Sequence, residues 1–214
     1  MLTSFSNPFS LAIFVVSFLF SLSVHEAAHA WAANRLGDPT AKFAGRLTLN
    51  PLAHLDPIGT ILLFLLGFGW GKPVPIDEFN LDNPRRDGAL ISLAGPGANL
   101  IAATFFSFFW WLTYQLGNNS LIVNNLMSGL IQLNVILGLF NLLPVYPLDG
   151  SKILVGFLPE EAAQKIDNIL KQRGILILIF LFLPIFFGQS LIDLLIAPAA
   201  KSIINLLLFW AKIS

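Results

Sequence analysis

Three stretches of this chain run for 25 residues or more with at most one charged side chain, and that feature decides where the chain can fold. Residues 9–33 carry only Glu26, and residues 89–116 and 121–148 carry no charge at all. A helix needs about 20 apolar residues to cross roughly 30 Å of hydrocarbon, so each stretch is long enough to span a bilayer. Residues 175–192 are again uncharged but broken by Pro184 and Gly188, and residues 199–213 are apolar around Lys201. They form a less regular C-terminal pair. Charged residues make up 11% of the chain, against about 25% in soluble domains, which argues against a water-soluble fold. The first span lacks a positive leading region and is too long for a cleaved signal peptide, so it is expected to stay in the mature protein.

Residues 58–70 are apolar but too short for a full crossing, and suit a re-entrant or interfacial segment. Charge supports that choice. If this piece does not cross, Arg35, Lys42, Arg46, Lys72, Arg85, Arg86, Lys152, Lys165, Lys171 and Arg173 all fall on one side, the pattern of cytoplasmic loops. Residues 40–49 suggest two short strands turning at Gly45, and residues 150–173 suggest one or two helices lying at the membrane surface. The expected architecture is an all-α polytopic membrane protein. It comprises about five to six transmembrane helices, a re-entrant segment and a small membrane-associated β-hairpin. A single domain covers 1–214, with a core at 9–150 and C-terminal helices at 174–214.

Few residues can do chemistry. There is no Cys, which removes disulfides, thiolate metal sites and a Cys nucleophile, and there are three His. Twelve Lys and Arg balance twelve Asp and Glu, so nothing favours nucleic acid. Two of the His stand in His25-Glu26-Ala27-Ala28-His29. Residues four apart share a helix face, so both imidazoles can reach one ion, and neutral imidazole suits zinc. Glu26 then projects beside the pair, where it can take a proton from a water and pass one to a leaving amine. A Glu unpaired within a membrane helix is costly, which independently favours function. A hydrolytic zinc takes three protein ligands. His54 and the carboxylates are the options, and Asp149 leads because it ends an uncharged span among Pro144, Pro147 and Gly150. Asp193 lacks such surroundings. Asn141 is a candidate hydrogen-bond donor to a reacting carbonyl oxygen, or an interhelical amide contact. His54 could serve the same oxyanion, act as a spare ligand, or satisfy a buried loop. Asn99, in Gly95-Pro-Gly-Ala-Asn99, suits close helix packing before any substrate role.

Together these motifs resemble the site-2 proteases, intramembrane zinc metallopeptidases. The pair His25-Glu-Ala-Ala-His29 and Asn141-x-x-Pro144…Leu148-Asp149-Gly150 carries the resemblance. The stretches from Arg46-Leu-Thr-Leu-Asn50 through His54-Leu-Asp56-Pro57 to Gly59, Gly71-Lys-Pro-Val-Pro75 and Gly95-Pro-Gly-Ala-Asn99 point to the compact prokaryotic branch. By this resemblance His25, His29 and Asp149 bind one zinc ion, Glu26 is the base, and Asn141 helps bind substrate near the metal. Set against that family, neither the inserted PDZ domain nor the C-terminal CBS pair common in relatives is expected here. The resemblance implies regulated intramembrane proteolysis, hydrolysis within or near a transmembrane segment of another membrane protein, in a prokaryotic cell membrane with the site toward the cytoplasm. The lipid bilayer and a transmembrane protein or peptide are the expected partners; no oligomeric state is implied. Competing readings are a membrane-embedded zinc hydrolase of lipids or small amides, a metal transporter, and an inactive binding relative. A strand edge at residues 40–49 would offer a place to hold an unwound substrate segment.

Overall fold

A computed structural model describes residues 7–66, 69–117, 120–183 and 190–209 of the chain. Among these residues eight α-helices follow one another: α1 (Pro8–Arg35), α2 (Thr40–Phe43), α3 (Pro57–Leu66), α4 (Pro84–Gln115), α5 (Leu121–Asn141), α6 (Asp149–Phe157), α7 (Glu160–Phe182) and α8 (Leu191–Leu208). Four of them, α1, α4, α5 and α8, are long and apolar enough to cross a membrane. At 1.5 Å per residue α1 is about 42 Å long, more than the hydrocarbon thickness. Its start is set by Pro8 and by the Asn7 side chain, which accepts from the Ser10 N–H at 2.8 Å. Helix α4 is central, packed on α1, α5 and α6. The inner seam is closed by small and branched residues such as Ala103, Ile131 and Val135, while Ile101, Phe105, Phe108, Ile122, Ile179 and Phe180 face outward. An apolar exterior around a partly polar interior is what a lipid solvent selects.

The short apolar helix α3 spans about 15 Å, half a bilayer. Both ends of its segment are tied together: Leu55 and Gly71 form an antiparallel bridge, and the Lys72 N–H donates to the His54 carbonyl at 2.8 Å. Gly59 lets the returning backbone close in, because a Cβ there would run into Trp70 backbone atoms. The two ends of the segment therefore lie side by side.

Three expectations change. No strand forms among the described residues, so the hairpin at residues 40–49 is absent. Residues 40–43 are one helical turn instead, because the buried Asp38 carboxylate accepts from the Thr40 N–H at 3.0 Å and from its hydroxyl. Gly45 does sit at a turn, with φ +70°, but between a helical turn and irregular backbone. The third apolar span ends at Asn141 rather than Leu148, since Pro144 and Pro147 cannot extend a helix. Finally, the charged surface segment and the apolar residues from Ile175 form one continuous helix, α7, and α8 begins early, fixed by a Ser190–Asp193 capping box. The break expected at Pro184 and Gly188 lies outside the described residues.

Asp38 also accepts from the Asp77 N–H at 2.8 Å and from the Asn80 amide at 3.1 Å, fastening the 37–46 loop to the chain that returns from α3. Burial pushes its carboxyl up, but hydrogen bonds from Thr40, Asp77 and Asn80 outweigh this and hold it below the ordinary carboxylate range. Asp38→Ala is expected to cost ~2 kcal/mol by leaving buried N–H groups unpaired, read as a lower melting temperature in detergent. The lowered value makes this stabilisation present above about pH 4 and lost as pH falls through the folded-state pKa. The gap between wild type and variant should therefore close on acidification.

Candidate metal centre

Helix α1 supplies two imidazoles one turn apart, and the opening residue of α6 supplies a carboxylate. The His25 Nε2 lies 3.0 Å from the His29 Nε2, and Asp149 Oδ2 lies 3.1 Å from the first and 3.3 Å from the second. Residues 124 positions apart meet because the turn after α5 folds back tightly. Gly150 permits that turn, for a Cβ there would collide with the carbonyl oxygens of Leu142 and Leu143. Asp149 follows Leu148 as the first residue of α6, at the favourable end of a helix for an anion.

The far side of each ring decides what the near side offers. The His29 Nδ1 lies 2.7 Å from the Ile91 carbonyl oxygen, which only accepts, so Nδ1 carries the hydrogen. The His25 Nδ1 lies 2.6 Å from Asn99 Oδ1. The amide of Asn99 is oriented by its own donations, to the Ser21 carbonyl at 3.0 Å and to Asn134 Oδ1 at 2.8 Å, so its oxygen faces His25. In the neutral rings both Nε2 atoms then present lone pairs. Three electron-donating atoms converge in a buried space with no hydrogen between them, an arrangement that demands a cation. Two ligands of a tetrahedral zinc at about 2.1 Å stand roughly 3.4 Å apart, close to the separations found. These three residues form the one His/Asp/Glu cluster of metal-binding geometry among the described residues.

Glu26, on the next position of α1, lines the same cavity of about 630 Å³ as His25, His29 and Asp149. So does Asn141, at the end of α5, whose amide donates to the Leu137 carbonyl at 3.0 Å. Trp70, Pro73 and Val74 bring the chain returning from α3 to the cavity, so its wall is mainly apolar. His54 is not among the lining residues. It is fully buried in the loop before α3, with Nε2 donating to the Thr48 carbonyl at 2.8 Å. Of the residues singled out in the sequence, the structure gathers His25, Glu26, His29, Asp149 and Asn141, and sets His54 apart.

Residues 113–183, which include Asn141 and Asp149, match the model of peptidase family M50. The chain is 41% identical over 181 residues to "Putative zinc metalloprotease YwhC" of Bacillus subtilis, an alignment covering 82% of each protein. The chain belongs to family M50, the site-2 proteases. It is also 30% identical to "Putative zinc metalloprotease Rip2" of Mycolicibacterium smegmatis and 31% identical to that of Mycobacterium tuberculosis, covering 79% of this chain and 66% of each relative. No solved structure matches it. As an M50 protein it is an integral membrane zinc metalloprotease, and the converging donor set described above suits that metal.

Two contributors escape a reading of the sequence. Asn99 looked like a packing residue, and only its contact with His25 assigns it to the centre. Gly95 belongs to the same motif, and a Cβ there would come within 3.0 Å of both imidazole rings. A helical Gly this close to a paired His is the signal, but it needs the three-dimensional contact. Gly95→Ala should displace the rings and lower zinc content, measured by metal analysis of purified protein, with helix content by circular dichroism unchanged.

Proposed function

We propose that this protein is an intramembrane endopeptidase that hydrolyses a peptide bond within or near a transmembrane segment of another membrane protein. The observation carrying this reading is the meeting of three lone-pair donors and one free carboxylate in an apolar-walled cavity among membrane helices. His25 and His29, held by Asn99 and Ile91, and Asp149 hold the zinc ion. Zinc supplies Lewis acidity toward a water and toward the scissile carbonyl. Glu26 has no hydrogen-bond partner among the described residues, which leaves its carboxylate available to the cavity. It takes the proton of the attacking water and delivers one to the departing amine. Asn141 commits an amide hydrogen to Leu137, and its remaining polar atoms hold the substrate backbone in the cavity.

The basic residues Arg35, Lys42, Arg46, Lys72, Arg85 and Arg86 cluster in the segments joining the ends of α1, α3 and α4 nearest the centre. The bias of Lys and Arg toward cytoplasmic loops supports a site that opens to the cytoplasm of a prokaryotic cell membrane. His54 serves this site indirectly, by holding the loop to which the end of the re-entrant segment is bonded.

Glu26→Gln tests the reading, since it keeps the shape of the side chain and removes its basicity. Reconstituted into liposomes with a membrane proteome from cells lacking the enzyme, the variant should retain zinc and lose about 10²- to 10⁴-fold of cleavage rate. Undiminished cleavage with zinc bound would remove Glu26 from its role. Spanning fragments that persist only with the variant identify the substrates.

A further inference from the structure

We infer that Asn99 is a positioning residue for the zinc centre, setting the ring nitrogen that His25 offers through a relay across three helices. This rests on the proposed role of His25 as a ligand. The relay runs from α5 through α4 to α1. Asn134 donates to the Leu130 carbonyl at 2.8 Å, so its oxygen is the end turned to Asn99. Asn99 gives one hydrogen to that oxygen and the other to the Ser21 carbonyl, which leaves only its oxygen for His25. Rotating the Asn99 amide by half a turn would set oxygen against oxygen at both Ser21 and Asn134, so one orientation survives. Neither Ser21 nor Leu130 can donate through its carbonyl, and the chain of polarity therefore ends on fixed acceptors at both anchors.

Both amides are fully buried. In such surroundings a polar group without a partner is expensive, and the relay spends every amide hydrogen of Asn99 on a defined acceptor. It holds the His25 ring through Nδ1–H, directs the Nε2 lone pair at the metal, and ties the two helices that flank the His pair to each other. His29 reaches the same state differently, through the backbone carbonyl of Ile91. The two ligands therefore differ in how they can be perturbed: a side-chain change releases one and not the other.

The test compares zinc affinity, by chelator competition on purified full-length protein in detergent, for wild type, Asn99→Leu, Asn134→Leu, Asn124→Leu and His25→Ala. Asn124 accepts from the Trp110 indole at 2.9 Å elsewhere on α5, so its loss costs a half-buried hydrogen bond without touching the centre. Asn99→Leu should weaken zinc binding by about 10- to 100-fold, Asn134→Leu by less, and Asn124→Leu hardly at all. Because the chain has three His, labelling them with 15N gives a readable set of ring signals. In zinc-loaded protein Asn99→Leu should abolish exchange protection of the His25 ring N–H while that of His29 persists. Asn99→Ser, too short to reach the ring, should act in the same direction and replaces Asn99→Leu if that variant does not fold. Folded Asn99 variants with wild-type affinity and a protected His25 N–H overturn the relay. Equal loss of protection at His25 and His29 also overturns it, since that is general loosening. Wild-type zinc affinity in His25→Ala instead overturns the ligand assignment on which the relay rests.

Discussion

Three electron-donating atoms held within 3.3 Å of one another, two of them on buried imidazoles and the third on a largely buried carboxylate, are the constraint around which this molecule is arranged. Like-signed lone pairs at that distance repel, and the low-dielectric surroundings do little to screen them. A cation offsets that repulsion, and packing around the groups sets where their donor atoms meet. That packing is visible: α4 lies against the other contributors to the centre, α1 and α6, and against the α5 helix that orients Asn99, and Gly95 thins it where the two imidazoles need room. Helices in lipid gain nothing from excluding water at their contacts, so close approach and internal hydrogen bonds carry the association. The relay through Asn134, Asn99 and His25 supplies such bonds, and the centre and the helix bundle are held by the same interactions.

The apolar spans and the His-Glu-x-x-His pair were legible in the chain because both are local. Hydropathy over about 20 residues and a one-turn spacing require no knowledge of what packs where. Asp149 was legible because an isolated carboxylate beside Pro144, Pro147 and Gly150 is rare in so apolar a chain. The short length of the apolar run at residues 58–70 agrees with the meeting of its two ends. What local pattern could not supply depends on contacts between distant residues. The run at 40–49, with Gly45 at a turn, reads as two short strands, yet the carboxylate of Asp38, fastened to Asp77 and Asn80, winds its first four residues into a helical turn. Asn99 and Gly95 sit in a motif whose composition speaks of packing; their part in the centre emerges only when α1 comes alongside α4. His54 shows the converse. A polar residue in a motif-rich loop invites a chemical role, while its ring in fact secures the Thr48 backbone.

The way the carboxylate arrives explains why the third long helix stops where it does. Placed inside α5, an aspartate would have to lie against lipid or displace the packing that seals the bundle. Breaking the helix at Pro144 and Pro147 lets the chain leave the span, turn, and re-enter helical structure at Asp149, with Gly150 admitting the close approach of the Leu142 and Leu143 carbonyls. The carboxylate then sits where a helix begins and its unsatisfied N–H groups favour negative charge. Backbone freed by such a break is tolerated only beside protein or a wet cavity, and here Pro147, Leu148 and Asp149 line the cavity. The interruption thus does two things at once. It delivers the anion to the imidazole pair, and it opens a cavity beside Glu26 and Asn141.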